Sequence, residues 1–147
     1  MVAGAAVVRL GPAVGVASAG TVAGPRLAAG ARAGSGGTWG TAEELPGIAA
    51  LNTGGDALVG SVSCASAGNC SAGGFYTDSS GHQQAFVASQ VNGTWGTAKE
   101  VPGTAALNSG GNDAINSMSC ASAGNCSAAG QYTGSSGHGQ AFVVSQT

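Results

Sequence analysis

Four cysteines, two histidines, two tryptophans and a scatter of carboxylates are the residues with the means to do chemistry in this 147-residue chain. The cysteines come as two pairs, Cys64/Cys70 and Cys120/Cys126, each bracketing the same five residues, Ala-Ser-Ala-Gly-Asn. Five intervening residues suit a hairpin in which the two sulfurs face each other across a strand pair, and an even count at identical spacing reads as two local disulfides formed in an oxidising compartment. The rival is one metal site built from all four thiolates, but zinc pairs usually leave only two to four residues between their cysteines. Reading the pairs as cystines leaves no metal-ligand set. His82 and His138 each follow Ser-Ser-Gly in a loop, the first of which also carries Asp78, and loops carry function more often than cores do. A metal or acid/base pair would need the two histidines to meet, which nothing in their spacing demands; the plain alternative is a solvated turn residue.

Trp39 and Trp95 could offer indole faces to pyranose rings. Packing between sheets is the favoured reading, because only seven aromatic residues exist to fill gaps. Among the carboxylates Asp56, Asp78, Asp113 and Glu44/Glu100, only the Glu44/Glu100 position recurs in both halves of the chain, so no acid/base pair is duplicated. G-x-S-x-G, H-E-x-x-H, P-loop and Rossmann signatures are all missing. The chain therefore reads as non-enzymatic and without a cofactor.

What positions these residues is a duplication. Residues 37–91 and 93–147 align without a gap, and thirty-nine of the 55 aligned positions are identical. A fixed period of this size marks an array of supersecondary units, each unable to bury its own apolar face. Three segments are expected: residues 1–36, an Ala/Gly/Val-rich stretch that is either a signal peptide or a tail; residues 37–92, the first repeat; and residues 93–147, the second. Ala17-Ser18-Ala19 resembles a cleavage site, but the early basic cluster of a signal peptide is missing, and the uncharged run is too short and too broken by Gly and Pro for a membrane span.

Within a repeat, short bursts of alternating small polar and apolar residues are separated by turn chemistry, which argues for β-strands. Strands are expected over about residues 57–64, 70–76, 84–91 and 94–101. Asn92-Gly93 supplies a type I′ hairpin between the last two, and Pro102 ends the fourth. Residues 102–111 are long enough to cross to the next unit. The fold class is all-β: two propeller-like, four-stranded antiparallel blades forming a partial propeller, with the N-terminal Trp strand (residues 38–41) completing the last sheet, either within the molecule or on a neighbouring chain. The latter would make a homo-oligomer through blade completion.

The run Ser-Met-Ser-Cys-Ala-Ser-Ala-Gly-Asn-Cys-Ser-Ala-Ala-Gly at residues 117–130, the Ala-Phe-Val that follows at residues 141–143, and Asn-Gly-Thr-Trp at residues 92–95 together resemble secreted β-propeller repeats. The resemblance is to BNR or Asp-box-like propellers and to cysteine-containing repeats of actinobacterial exported proteins. It implies an exported propeller fold. The Asp-box pattern itself is broken, since Asp78 has Gly134 as its counterpart and the Trp follows a different hairpin, which speaks against a sialidase-type activity.

Charge narrows the partners. Arg9, Arg26 and Arg32 lie in the first 36 residues, whereas the repeats carry all six acids against Lys99 alone, and such a surface does not track nucleic-acid phosphates. The expectation is a secreted or cell-surface binding or structural module for an extracellular glycan or protein. Its ligand face would be drawn from Asp78, His82, His138, Trp39 and Trp95. The alternative is a fragment of a propeller-type glycoside hydrolase or lyase whose catalytic residues lie elsewhere.

Overall fold

A computed structural model describes residues 37–147; residues 1–36, and with them the expected signal peptide or tail, lie outside it. Contacts divide the chain into one unit up to Gly40 and another from Thr41 to Thr147, and the second unit holds all the regular structure among the described residues. It is an all-β arrangement of two antiparallel sheets. The first sheet contains β1 (Ala57–Ser66), β2 (Asn69–Thr77), β3 (Gln83–Val91), β4 (Thr94–Trp95) and β5 (Lys99–Glu100), in the order β1-β2-β3-β4 with β5 also pairing β3. The second contains β6 (Asp113–Ser122), β7 (Asn125–Thr133) and β8 (Gly139–Ser145), in that order. β1–β3 and β6–β8 pair in the same register, including a bulge at Gly60 and again at its counterpart Asn116.

The turn chemistry performs as expected. Asn92 and Gly93 both have positive φ, at 49° and 84°, which is the pairing a type I′ turn requires. Both cysteine pairs are disulfides and sit directly opposite each other across β1/β2 and β6/β7, with Cα–Cα distances of 3.9 and 4.0 Å. A four-thiolate metal site is thereby ruled out, because cystine sulfurs are not thiolates.

Three expectations are corrected. The fourth strand of the first blade is broken into β4 and β5: Ala98, between them, donates its N–H to Pro46 O at 2.7 Å instead of to β3, so the ladder is interrupted there. The crossover segments are not plain loops, since each contains a single helical turn, α1 (Ile48–Leu51) and α2 (Thr104–Leu107). Each begins after a glycine in the left-handed region, Gly47 or Gly103. Finally, the second sheet has three strands, and residues 37–44 form no strand, so the Trp strand does not complete it within the molecule. Neither a closed ring of blades nor a total blade number is evident in two sheets.

Period-2 alternation gives each sheet two faces. In the first sheet Ala72, Gly74, Phe86 and Ala88 share the lower face, and Gly73, Ala85 and Val87 the upper. Tyr76, Phe86, Ala88 and Ala98 form one core cluster, closed from below by Leu45, Ile48 and Leu51 around α1 and at the edge by Trp95. Ala85, Val101, Ile115 and Ala128 form the other, with Val87, Met118, Phe142 and Val144 packed against it. The second cluster is the seam: the lower face of the second sheet, carrying Ile115, Met118, Ala128 and Val144, rests on the upper face of the first. β6 crosses β1, β2 and β3. Burying Ile115 and Val101 to within 2 % exposure stabilises this seam by roughly 1.5–3 kcal/mol per side chain.

Candidate functional site

Towards the cystine end of β7 the two sheets diverge and leave a cleft of about 460 Å³. Its apolar walls are Val87 from the first sheet and Met118, Ala128 and Val144 from the second, the same alternating positions that build the seam. Polar groups gather at its margin. Gln146 Nε2 donates across the gap to Ser89 Oγ at 3.2 Å, and Ser71 donates its hydroxyl to the Cys126 sulfur at 3.2 Å. Lys99 pairs with Val87 on β3, which turns it to the cleft side of the sheet. Lys99 is exposed, and it is the only lysine or arginine between residues 37 and 147. A volume of this size suits a small ligand or a few residues of a peptide. Among the described residues no aromatic ring lines the cleft, which leaves it without a platform for stacking a sugar there.

The loop residues singled out from sequence lie elsewhere. Asp78 has its carboxylate occupied: Ser80 N–H and His82 N–H donate to Oδ1 at 2.8 and 3.0 Å, and Gln84 Nε2 donates to Oδ2 at 3.0 Å. The Gln84 amide, then the His82 and Ser80 backbone bonds, hold this carboxyl below its ordinary value, with slight burial working against them. It pins the turn and has little capacity left for a ligand. The His82 ring lies over the backbone of Gly111, where any Cβ would strike it, and Gln83 donates its N–H to Gly111 O at 3.0 Å. His82 is therefore a residue of the junction between repeats. Both His82 and His138, in the equivalent loop of the second repeat, are exposed. Among the described residues no group of three or more His, Cys, Asp or Glu side chains is gathered as a metal-binding set.

The two tryptophans part company. Trp95 is half-buried against the Phe86 cluster, whereas Trp39 is 97 % exposed. Cys64, Cys70 and Cys120 are partly or largely exposed, and Cys126 is buried in the seam.

Sequence reasoning missed the most unusual titratable group. Asp113 is fully buried at the start of β6, and neither carboxylate oxygen has a hydrogen-bond partner. Burial pushes its carboxyl above the ordinary value; the Thr104 hydroxyl and then the Ala85 N–H pull the other way, and the Glu100 charge adds the smallest push upward. Thr104 Oγ1 spends its proton on Val101 O at 2.9 Å, which is why it does not satisfy Asp113. Next to it Tyr76 donates to Glu100 Oε2 at 3.3 Å, and burial followed by the Glu100 charge pushes the phenol up to about 12. Buried acids with shifted titration often mark active sites. This one is sealed from solvent, so no substrate reaches it. Its only sequence signal was that Asp113 replaces Ala57 of the first repeat.

No helix among the described residues is long and apolar enough to cross a membrane. Two disulfides in so small a β unit point to an oxidising, extracellular environment. No family model, no curated protein and no solved structure matches this chain.

Proposed function

We propose that this protein is a secreted or cell-surface, non-catalytic binding module, its two sheets being neighbouring blades of a partial propeller, and that it takes a protein ligand in the cleft between them. The observation that carries this reading is the composition of the cleft. Its floor is aliphatic, its margin offers the Ser89 hydroxyl and the Gln146 amide, and its single charge is the Lys99 ammonium in an otherwise acidic unit. That chemistry suits a short peptide with small apolar side chains and a carboxylate to meet Lys99. Of the two ligand classes expected from sequence, glycan and protein, the aliphatic lining favours protein. The occupied Asp78 and the sealed Asp113 support binding over catalysis.

The test is calorimetric titration with short Ala/Val-rich peptides, with and without an acidic residue, alongside a glycan array. Acidic peptides should bind, Lys99→Glu should weaken them at least tenfold, and Ser89→Trp should fill the cleft and abolish binding. A silent peptide series with glycan hits that survive Ser89→Trp would sink the reading.

A further inference from the structure

The seam inside this molecule is built from surfaces that the molecule carries twice, and only one set of each is used. The lower face of the second sheet presents Ile115 and Met118 to the upper face of the first, at Gly73, Ala85 and Val87. Fifty-six residues earlier, Val59 and Val62 hold the Ile115 and Met118 positions on the lower face of the first sheet, and they are 45 % and 54 % exposed. Fifty-six residues later, Ala129, Ala141 and Val143 hold the Gly73, Ala85 and Val87 positions on the upper face of the second sheet, and Val143 is 83 % exposed. We propose that a second copy of this chain covers these faces, its first sheet resting on the second sheet of its neighbour in the arrangement of the internal seam, opened locally where Asn116 replaces the Gly60 that lies against Ile115 O, to give a head-to-tail assembly. This goes beyond the peptide cleft, which lies within each molecule.

Three features argue for a second copy over another apolar partner. The polar bonds across the seam have their participants repeated. Cys120 N–H donates to Ser63 Oγ at 3.0 Å and Gln146 donates to Ser89, and the unused faces keep Cys64 and Ser119 for the first bond and Gln90 and Ser145 for the second. Asn108 Nδ2 bonds Gln83 O at 2.8 Å and Gln84 Oε1 at 3.1 Å, and Asn52 and Gln140 repeat that pairing.

The volumes also compensate in part. A Cβ on Gly73 would lie 3.0 Å from Ile115 Cγ2 and 3.1 Å from Met118 Cε, so the large pair requires glycine. On the unused faces the added methyl of Ala129 would meet Val62, which lacks the methionine Sδ and Cε and so makes room, and Val59, which keeps the isoleucine Cβ and Cγ2 and must give by a few tenths of an ångström. Close-packed interfaces tolerate such exchanges when total volume is kept.

A fourth strand is also available. β3 takes up β4 through Gln90↔Trp95 and Val91↔Thr94, whereas β8 has β7 as its one strand partner among the described residues. The same register places Trp39 of one copy opposite Gln146 of the next, which would cover an indole that is otherwise bare. Two different faces meet, so the contact is heterologous and each protomer keeps one donor and one acceptor face.

Sedimentation velocity on the 147-residue chain, from micromolar to millimolar concentration, tests this. The unaltered protein should form a concentration-dependent series above the monomer. Val62→Lys blocks the donor face and Val143→Lys the acceptor face, both at exposed positions, so each variant alone should sediment as a monomer with unchanged circular dichroism and thermal midpoint; Val62→Ser and Val143→Ser stand in for a lysine variant that misfolds. An equimolar mixture of the two should restore one contact and give a species of two protomers and nothing larger. An unaltered chain that stays monomeric throughout overturns the proposal. So does self-association that survives either substitution, or a mixture that remains monomeric.

Discussion

Ile115 and Val59 stand at the same place in two nearly identical repeats, yet one is 2 % exposed and the other 45 %. The same split separates Val87 from Val143, and in both cases the residue that is covered lies beside the junction of the two sheets. The strand pattern, bulges and cystines are common to both repeats, so they come from local sequence and need no neighbour. Burial is different. It is conferred by whatever lies across the face, which is how a stacked array distributes its stability between repeats and interfaces.

The sharpest way to break this comparison is to shave the same position in both repeats. At a concentration where the chain is monomeric, Ile115→Ala should cost about 3 kcal/mol of unfolding free energy, because it opens a cavity in the seam, whereas Val59→Ala should cost under about 1 kcal/mol. Urea unfolding of the two variants measures both. Equal losses would mean that the seam contributes no more than the open face, and the division of the fold into covered and bare surfaces would fail.

A smaller effect should come from making the second repeat resemble the first at its one misfit, Asp113. Alanine occupies the equivalent position, Ala57, so Asp113→Ala removes a buried, unpaired carboxyl in favour of a residue the strand already accommodates. It should stabilise the protein by about 1 kcal/mol at neutral pH. The sign of the pH dependence follows from the raised folded-state value. The native state holds this proton more tightly than the unfolded chain, so the stabilisation is complete below the ordinary carboxylate range and is lost as pH rises through the raised value. Thermal midpoints should therefore fall with rising pH more steeply in the parent than in Asp113→Ala. Parallel curves would show that Asp113 titrates alike in the folded and unfolded states, and a parent that gains on Asp113→Ala as pH rises would show a carboxylate that is charged and satisfied in the folded state.

Much of this was legible in one dimension. Alternation located six of the eight strands, Asn92-Gly93 named its own turn, and the spacing of Cys64/Cys70 and Cys120/Cys126 named their pairing. What stayed hidden depends on contacts between segments distant in sequence. Ala98 leaves the fourth strand because Pro46 O reaches its amide, and no local pattern around Ala98 carries that information. Trp39 and Trp95 sit in the same Gly-Thr-Trp-Gly context, so sequence assigned them one fate. The cleft, too, is made by residues whose role is set by the sheet opposite: Ser89 and Ser145 are the same residue of the repeat, and only Ser89 meets Gln146 across it.

The mildest test transfers a feature from the first repeat to the second. Asp78 receives bonds from Ser80, His82 and Gln84, and the second repeat has kept all three donor positions as Ser136, His138 and Gln140 while replacing the acceptor with Gly134. A Cβ on Gly134 would have Tyr132 Cε2 as its nearest neighbour, at 3.8 Å, which is ordinary contact. Gly134→Asp should thus rebuild the cap and, by narrowing the unfolded ensemble as well, stabilise the protein by about 0.5 kcal/mol. Because the Asp78 carboxyl is held below its ordinary value, the charge-dependent part of the gain should be present above the usual carboxylate range and vanish as pH falls through the lowered value. Thermal midpoints at neutral and acidic pH measure it. A gain that persists unchanged in acid would assign the whole effect to the lost glycine, and no gain at all would mean that the two loops, alike in sequence, differ in backbone where the carboxylate must sit.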